Sequence, residues 1–393
     1  MAKVVGVLCD DPIAGYPAAR GRDDPSRIDC GADAHALRKY LEGNGHQLVV
    51  ASDKDGPGSV FERELVYADI VISGPFWSAF LTAERIAKAP KLKLAITAGT
   101  ASDHVDLQAA IDRGMTVAEI PCCNSISVAE HAVLAILALV RDYIPSYQWV
   151  LKGGWNIADC VARSCAVEGV HVGTVGAGRV GLAVLLRLRP FDVHLHYFDR
   201  YRLPESIEAE LGFTWHPMVE DLVRVCDVVS IDVPLEPQTE DLFDDKLIAR
   251  MKRGAYLVNT GRGKICNRDA IVRALASGQL AGYAGNEWFS QPAPRDHPWR
   301  TMSHYGMTPH LSGPSLWAQA RYAAGTRKVL ECWFEGRPIP DEYLIRTHTR
   351  NARELNPPHK AGEVFHGNPY ECRPPGSPRC RYGGRALGLA RSP

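Results

Sequence analysis

Short apolar runs alternate with helix-spaced apolar patterns through residues 1–345. The runs lack the strict alternation of apolar and polar positions that a half-exposed sheet shows, which favours parallel strands covered on both faces. Because one β/α series follows another, we predict an α/β protein with two doubly wound, Rossmann-like parallel-sheet domains and an active site in the cleft between them. The predicted strands are Val4–Cys9, Leu48–Ala51, Ile70–Ser73, Leu92–Thr97, Val170–Val175, Val193–Phe198, Val228–Ile231, Ala255–Asn259 and Ala281–Ala284.

Helical patterns separate these strands. Ser127 and Glu130 have the spacing of a capping box, so we predict that a long helix begins at Ser127 and runs to about Asp142. Pro145 stands beyond its predicted end. Further helices are predicted near 34–44, 180–188, 205–211, 244–251, 267–277 and 315–335.

Composition and charge exclude some classes of function. Apolar residues make up 46% of the chain, which is enough for a large core, and 45 basic residues balance 45 acidic ones. A protein with no net charge is a poor candidate for a dominant nucleic-acid or membrane-surface role. We expect no secretory signal, and no transmembrane helix because no apolar run reaches roughly 18 residues. The 11 cysteines lack C-x-x-C spacing and are interpreted as reduced thiols of a cytoplasmic protein, and we expect no metal site.

A glycine-rich motif follows the predicted strand 170–175. Gly176, Gly178 and Gly181 form G-x-G-x-x-G between that strand and a helix, which is the context that dinucleotide binding requires. We expect Gly176 to make the tight turn, Gly178 to let a pyrophosphate approach the backbone, and Gly181 to allow close helix–strand packing. Arg179 adds a cation at the same helix start, beside Val180. The alternative is a tight strand–helix turn without a ligand.

An acidic residue ends the next predicted strand. Asp199 stands where a carboxylate binds the adenosine ribose and repels a 2′-phosphate, so NAD is favoured over NADP. Arg200, directly after it, would soften that preference. A solvated strand-end carboxylate is the alternative interpretation of Asp199.

Four polar segments stand at predicted strand ends or in loops: 121–125, 259–263, 285–292 and 308–313. At these residues the chain resembles the D-2-hydroxyacid dehydrogenase superfamily, and within it the NAD-dependent formate dehydrogenases. The segments 123–131, 152–159 and 291–294 carry the closer resemblance, which extends over about residues 1–345.

The resemblance implies a substrate site for formate. Arg262 matches the arginine that binds the substrate carboxylate, for which a planar guanidinium supplies two parallel hydrogen bonds. Asn124 matches a second donor to formate, and His310 matches the active-site histidine. The formate pocket is implied to include Thr100, Pro75 and Phe76.

Gln291 distinguishes formate from a 2-hydroxy acid. The matching residue of 2-hydroxyacid dehydrogenases is Glu, which favours the imidazolium form of its histidine and supports proton transfer with an alcohol. Formate has no alcohol proton to lose, so a neutral Gln that only orients His310 suffices. Catalysis is then expected to rest on positioning the C–H bond of formate and on removing water from the anion.

The resemblance also implies the remaining cofactor contacts and a homodimer. The nucleotide domains of this superfamily pair through the long helix that we predict from Ser127. The implied cofactor-binding residues, besides the glycine motif and Asp199, are Ser125, Pro234, Leu235, Glu236, Pro237, Gln238, Thr260, Asn286, His310, Leu311, Ser312 and Gly313.

Domain boundaries follow from the same match. We expect a substrate domain formed by 1–124 and a returning segment 312–345, with an NAD-binding domain at 125–311 between them. Residues 346–393 hold eight Arg, one Lys and three Glu with seven Pro and six Gly, and match nothing in the family. That bias is typical of a poorly ordered tail.

Two further departures from the family keep other functions open. Asn286 stands where the formate enzymes have Asp; it keeps an acceptor oxygen but loses the charge that favours the cationic nicotinamide. Thr100 adds a hydroxyl where the family is apolar. The alternatives are a D-2-hydroxyacid or glyoxylate reductase, which Gln291 disfavours, and a catalytically weakened NAD(H)-binding protein.

Overall fold

The computed structural model describes residues 1–7, 30–51, 53–56, 58–74, 78–100 and 102–345. Two parallel sheets organise these residues. The first has the order β2-β1-β3-β4-β5 and the second the order β12-β11-β10-β9-β6-β7-β8. The strands of the first sheet are β1 (Lys3–Val7), β2 (Gln47–Ala51), β3 (Ile70–Ser73), β4 (Leu94–Thr97) and β5 (Thr116–Glu119). The strands of the second are β6 (His171–Val175), β7 (His194–Phe198), β8 (Phe213–His216), β9 (Val228–Ile231), β10 (Ala255–Asn259), β11 (Leu280–Gly285) and β12 (Tyr305–Met307).

Helices cover both faces of each sheet, so the predicted α/β class with two doubly wound sheets is confirmed. The helices are α1 (Cys30–Gly43), α2 (Val60–Leu65), α3 (Ala83–Lys88), α4 (Leu107–Asp112), α5 (Ser125–Val140), α6 (Tyr143–Leu151), α7 (Ile157–Val161), α8 (Arg179–Leu188), α9 (Glu205–Leu211), α10 (Val219–Val225), α11 (Asp245–Ile248), α12 (Arg268–Ser277) and α13 (Leu316–Phe334). Short 3-10 helices lie at Arg189–Phe191, Gly263–Ile265, Pro298–Arg300 and Asp341–Tyr343.

The last helix returns to the first sheet. Val329 and Leu330 of α13 are fully buried in the core on the face of that sheet that carries Val4, Ile70 and Leu94. Beyond α13, Ile345 donates a backbone hydrogen bond to Val117 of β5 at 2.9 Å. The chain therefore leaves the first sheet, builds the second, and comes back.

The long helix begins earlier than predicted. α5 starts at Ser125, with Asn124 at the N-cap position making no side-chain capping bond. The expected capping box at Ser127 is therefore wrong. The hydroxyl of Ser127 lies 2.6 Å from that of Ser315 at the start of α13, so this serine joins the two crossing segments and does not cap its own helix. Pro145 lies in the first turn of α6, where its missing N–H would have no helical partner.

Candidate active site

Polar segments follow the carboxyl ends of the strands. In the second sheet, β6 leads into the glycine motif, β10 into Arg262, β11 into Asn286, and β12 into a loop that reaches His310. The carboxyl ends of parallel strands lie along one edge of the sheet, which is where open α/β sheets bind ligands. The topology therefore collects the predicted cofactor and substrate residues of this sheet on one side.

Each glycine of the motif has the environment that its expected role requires. Gly176 has φ of +101°, and a Cβ there would lie 2.8 Å from the carbonyl oxygen of Asp232. A Cβ on Gly181 would overlap the carbonyl oxygen of Gly176. By contrast, a Cβ on Gly178 would meet no atom within 4 Å. The loop is thus closed on its protein side and open at Gly178, where α8 begins and its N–H groups are available to an anion.

Asp199 is held by backbone donors of two loops. Its Oδ2 accepts from the N–H of Ala177 inside the glycine loop at 2.8 Å, and its Oδ1 accepts from the N–H of Tyr201 at 2.9 Å. Arg200 forms an ion pair with Glu236 at 3.2 Å. The charge that was expected to soften the preference for NAD is therefore paired with a carboxylate of the segment 234–238.

Arg262 faces a carboxylate that the sequence analysis did not single out. Its Nε and Nη2 each donate to an oxygen of Asp103 at 3.0 Å, across the boundary between the two sheets. Asn259 braces the arginine loop, since its Nδ2 donates to the carbonyl of Arg262 at 2.9 Å and its Oδ1 accepts from Gly261 at 3.0 Å. The guanidinium is mostly buried, with 15% of its side chain exposed.

The ion pair controls the charges of both partners. Burial alone would raise the pKa of Asp103, but the adjacent Arg262 lowers that pKa to about 2. Burial opposes the charge on Arg262 as well, and Asp103 restores it by raising the pKa of the guanidinium. Both groups are therefore ionised at neutral pH.

His310, Gln291 and Glu287 form a hydrogen-bonded series. Nδ1 of His310 lies 3.0 Å from Oε1 of Gln291, as expected for the predicted pair. Nε2 of Gln291 donates to Oε1 of Glu287 at 3.1 Å. Burial, together with the charge of Arg262, lowers the pKa of His310 to about 3. His310 is therefore neutral near pH 7 in the structure.

Asn286 does not offer the acceptor that the sequence analysis expected. The side chain is 1% exposed, and its Oδ1 already accepts from the N–H of Ser312 at 2.8 Å and from the hydroxyl of Thr308 at 3.3 Å. A backbone N–H can only donate, so the amide is fixed with its oxygen towards Ser312. Of the Asn286 side chain, the Nδ2 donor remains for a ligand.

Asn124 and Gly313 meet where the chain crosses between the sheets. A Cβ on Gly313 would lie 2.8 Å from Nδ2 of Asn124 and 3.5 Å from the hydroxyl of Tyr322. Only glycine leaves Asn124 its position here. Ser125 follows as the first residue of α5.

Thr100 turns its hydroxyl towards the protein. Oγ1 donates to the carbonyl of Ile120 at 3.4 Å and lies 3.8 Å from Sγ of Cys123. Burial raises the pKa of the Cys123 thiol to about 12, which makes it a thiol of the core. Pro75 and Phe76, expected beside Thr100, lie outside the described residues, as does the tail 346–393.

The other predicted cofactor residues lie near the same sheet edge. Thr260 is buried and donates to Oδ1 of Asp232 at 3.3 Å. Ser312 is buried, whereas the Leu311 side chain is 45% exposed. Among the described residues, none of the helices has the length and hydropathy needed to cross a membrane.

Comparison with known proteins agrees with this geometry. The family model "D-isomer specific 2-hydroxyacid dehydrogenase, NAD binding domain" matches residues 133–312. Formate dehydrogenase of Pseudomonas sp. (strain 101) is 63% identical over 368 residues, which cover 88% of this chain and 92% of that protein. The chain belongs to the formate dehydrogenase family.

Two solved structures of the family have the same fold. A formate dehydrogenase of Granulicella M. superposes with a TM-score of 0.83 at 60% identity, covering 88% of this chain and 98% of that one. An NAD-dependent formate dehydrogenase of Staphylococcus aureus, in complex with NAD, has a TM-score of 0.78 at 39% identity, covering 88% and 99%.

The residues of this family member fit NAD. The open backbone at Gly178 and the helix start behind it suit a pyrophosphate, and Asp199 retains lone pairs for ribose hydroxyls. Three site residues were missed from the sequence. Asn259 had a detectable signal, since it stands three residues before Arg262 at a strand end, whereas Asp103 and Glu287 act through contacts that no spacing indicates.

Proposed function

We propose that this chain oxidises formate to carbon dioxide with NAD+ as the hydride acceptor. The observation that carries the proposal is the neutral Gln291 amide, 3.0 Å from Nδ1 of His310. An amide orients the ring without the direct carboxylate partner that acid–base chemistry on an alcohol uses. Membership of the formate dehydrogenase family supports the same substrate.

Three side chains bind formate in this proposal. Arg262 keeps guanidinium N–H groups that Asp103 does not use, and these bind the carboxylate. Asn124 donates from Nδ2, and His310 contacts the anion through Nε2, the ring nitrogen to which no described residue bonds. Thr100, Pro75 and Phe76 are proposed to enclose the pocket.

Formate needs no general base. The C–H bond breaks with its electron pair, carbon dioxide remains, and no proton is released. The oxidised nicotinamide, when bound, supplies the hydride acceptor. The protein groups hold formate in one orientation and exclude water, so that the anion loses the solvation that stabilises its ground state.

Each part of NAD is assigned to a group of residues. Gly176, Gly178, Gly181 and the start of α8 with Arg179 and Val180 are assigned to the pyrophosphate, and Asp199 to the adenosine ribose. The segment Pro234, Leu235, Glu236, Pro237 and Gln238 is assigned to the adenosine side. The nicotinamide side is assigned to Ser125, Thr260, Asn286, His310, Leu311, Ser312 and Gly313.

Purified protein with formate and NAD+, followed by NADH absorbance, tests the proposal. We expect turnover that is lost in Arg262→Ala and kept in Arg268→Ala, which removes an exposed arginine paired with its neighbour Asp269. D-lactate and D-glycerate with NAD+, and glyoxylate with NADH, should give no comparable rate. Turnover of one of these without turnover of formate would assign a reductase. NADH binding without any turnover would assign a binding protein.

We also propose a homodimer that pairs through the nucleotide domain. Its support is an exposed apolar surface on α5, α6, α7 and the loop between α6 and α7, which water would otherwise cover at a free-energy cost. A mass near twice 43.1 kDa by light scattering would agree, and a monomer would contradict it. The surface consists of Leu134, Tyr143, Tyr147, Trp149, Val150, Leu151, Trp155, Ile157 and Val161, each 43–81% exposed.

We also propose a domain division and a cellular location. We assign the substrate domain to 1–124 and 312–345 and the NAD-binding domain to 125–311. A cytoplasmic location is supported by seven cysteines of the described residues that are free thiols: Cys122, Cys123, Cys160, Cys165, Cys226, Cys266 and Cys332.

A further inference from the structure

Glu287 joins two loops of the candidate site. One carboxylate oxygen accepts a hydrogen bond from the N–H of Gly263, directly after Arg262. The other accepts from Nε2 of Gln291 at 3.1 Å. A Cβ on Gly263 would lie 2.8 Å from the carbonyl oxygen of Glu287, so the two loops are in close contact at this point.

The chemistry of these groups fixes the direction of every hydrogen bond. Gly263 supplies an N–H, so the Glu287 oxygen facing it must accept. An ionised carboxylate cannot donate with its other oxygen, so Gln291 must present its amide nitrogen to Glu287. The amide oxygen of Gln291 then faces His310 at 3.0 Å and requires a proton on Nδ1 of the ring.

We propose that Glu287 is a positioning residue that sets the tautomer of His310 through Gln291. With the proton on Nδ1, Nε2 of the neutral ring carries a lone pair and repels the oxygen of an anion. Formate gains a hydrogen bond from Nε2 only when the ring takes up a second proton. Formate binding therefore weakens as the pH rises; this consequence rests on the proposed function.

The charged groups around the series act in opposite directions. The charge of Arg262 disfavours the imidazolium form of His310, and the charge of Asp103 favours it. The charges of Arg262 and Lys264 favour the ionised form of Glu287, and the charge of Asp103 opposes it. Burial raises the pKa of Glu287. The hydrogen bonds from Gly263 and Gln291 require an ionised Glu287, because both of its carboxylate oxygens accept.

Glu287→Gln keeps the shape of the side chain but reverses the direction of the hydrogen bonds from residue 287 through Gln291 to His310. The oxygen of the new amide must stay on the N–H of Gly263, so its nitrogen faces Gln291. Gln291 then turns its oxygen to residue 287 and its nitrogen to His310, whose Nδ1 becomes the acceptor. The proton of the neutral ring moves to Nε2, where it donates to formate at any pH above the ring's pKa.

Histidine 15N NMR of the full-length protein near pH 7.5 tests the tautomer directly. His310 signals are assigned by their loss in His310→Asn. We expect the proton on Nδ1 in the wild type and on Nε2 in Glu287→Gln. Glu331→Gln is the matched control, since Glu331 pairs with Arg327 on α13, and it should keep the wild-type tautomer. A proton that stays on Nδ1 in Glu287→Gln would overturn the proposal.

The pH dependence of the formate KM gives a second readout. Uptake of one proton on binding predicts that the wild-type KM rises by up to about tenfold per pH unit between pH 6 and pH 9. In Glu287→Gln we expect a formate KM that stays flat over the same pH range. A wild-type slope retained in Glu287→Gln would also overturn the proposal, because a merely structural role would change KM equally at every pH.

Two outcomes separate this proposal from the proposed function. A reversed tautomer in a protein without formate turnover would support the positioning role and remove formate oxidation. If circular dichroism shows that Glu287→Gln does not fold, Glu287→Leu replaces it, and a mixture of both His310 tautomers is then expected. A pure Nδ1 tautomer in Glu287→Leu would contradict the role of Glu287.

Discussion

Asp103 and Arg262 form a two-point ion pair between the loop that follows β4 and the loop that follows β10. Each of the two hydrogen bonds is 3.0 Å long, and the pair fixes the plane of the guanidinium. Orientation of this plane is what a bound carboxylate requires, so Asp103 acts on the substrate through Arg262.

Asp103→Asn should lower the kcat/KM for formate by roughly tenfold to a hundredfold, because a hydrogen bond between charged groups contributes about 1.5–3 kcal/mol. Steady-state rates of NADH formation measure the change. Asp112→Asn removes an exposed carboxylate that accepts from Gln108, and it should leave kcat/KM unchanged. An unaltered kcat/KM in Asp103→Asn would show that Arg262 needs no such partner.

Gln291→Glu should depress formate turnover and shift its pH profile. Glu287 lies 3.1 Å from the atom that becomes a carboxylate oxygen, and two carboxylates at that distance cannot both ionise. Rates between pH 5 and pH 9 test the expectation, with Gln108→Glu on the exposed face of α4 as the control. If the pH profile of Gln291→Glu coincides with that of the wild type, the neutral amide of Gln291 is not needed for formate turnover.

Asn286→Asp should strengthen the binding of NAD+ relative to NADH by up to about tenfold. The new carboxylate keeps one oxygen on the N–H of Ser312 and places the other where Nδ2 now stands, which favours a cationic ring. Fluorescence titration with NADH, and competition by NAD+, give both dissociation constants without turnover. Asn156→Asp at the start of α7 is the control. An unchanged ratio of the two constants would exclude Asn286 as a determinant.

Acid should destabilise the second sheet through a ladder of three histidines. His196 on β7 bonds to His171 on β6 at 2.8 Å and to His216 on β8 at 3.0 Å. Burial, with its neighbours' charges, lowers the pKa of His196 to about 4. The unfolded chain therefore binds more protons below its ordinary pKa of 6.5, so this contribution is full above pH 6.5 and is lost as the pH falls through 4.

Thermal unfolding between pH 4 and pH 7.5 measures this effect. The melting temperature should fall less steeply towards low pH in His196→Phe than in the wild type. Ala209→Ser, at an exposed position of α9 that does not titrate, should keep the wild-type slope. Equal slopes in all three proteins would mean that the ladder does not control acid stability.

The sequence predicted the buried strands best. The bounds of β3, β9 and β10 agree with the prediction, because each is a continuous apolar run covered on both faces. Strands β5, β8 and β12 were not predicted. β8 is an edge strand with a single buried residue, and β12 has three residues, so neither shows a strong pattern. Strand order depends on crossovers, which periodicity does not encode.

The pairing of His310 with Gln291, which the family resemblance implied, is present in the structure. The residues that hold these site side chains in place were not predicted. Asp103 and Arg262 are 159 positions apart in the sequence, and their contact exists only after both sheets have formed. The error at Asn286 has a similar origin, since the direction of an amide depends on neighbours such as Ser312.

Val233 touches both loops that serve the two ligands. A Cβ on Gly176 would lie 3.0 Å from its side chain, and a Cβ on Gly261 would lie 2.9 Å from its carbonyl oxygen. The glycine-rich loop and the loop that carries Arg262 therefore both pack against Val233. Substitutions in the two loops should therefore combine non-additively, and engineering of the cofactor preference in this protein will change its formate affinity as well.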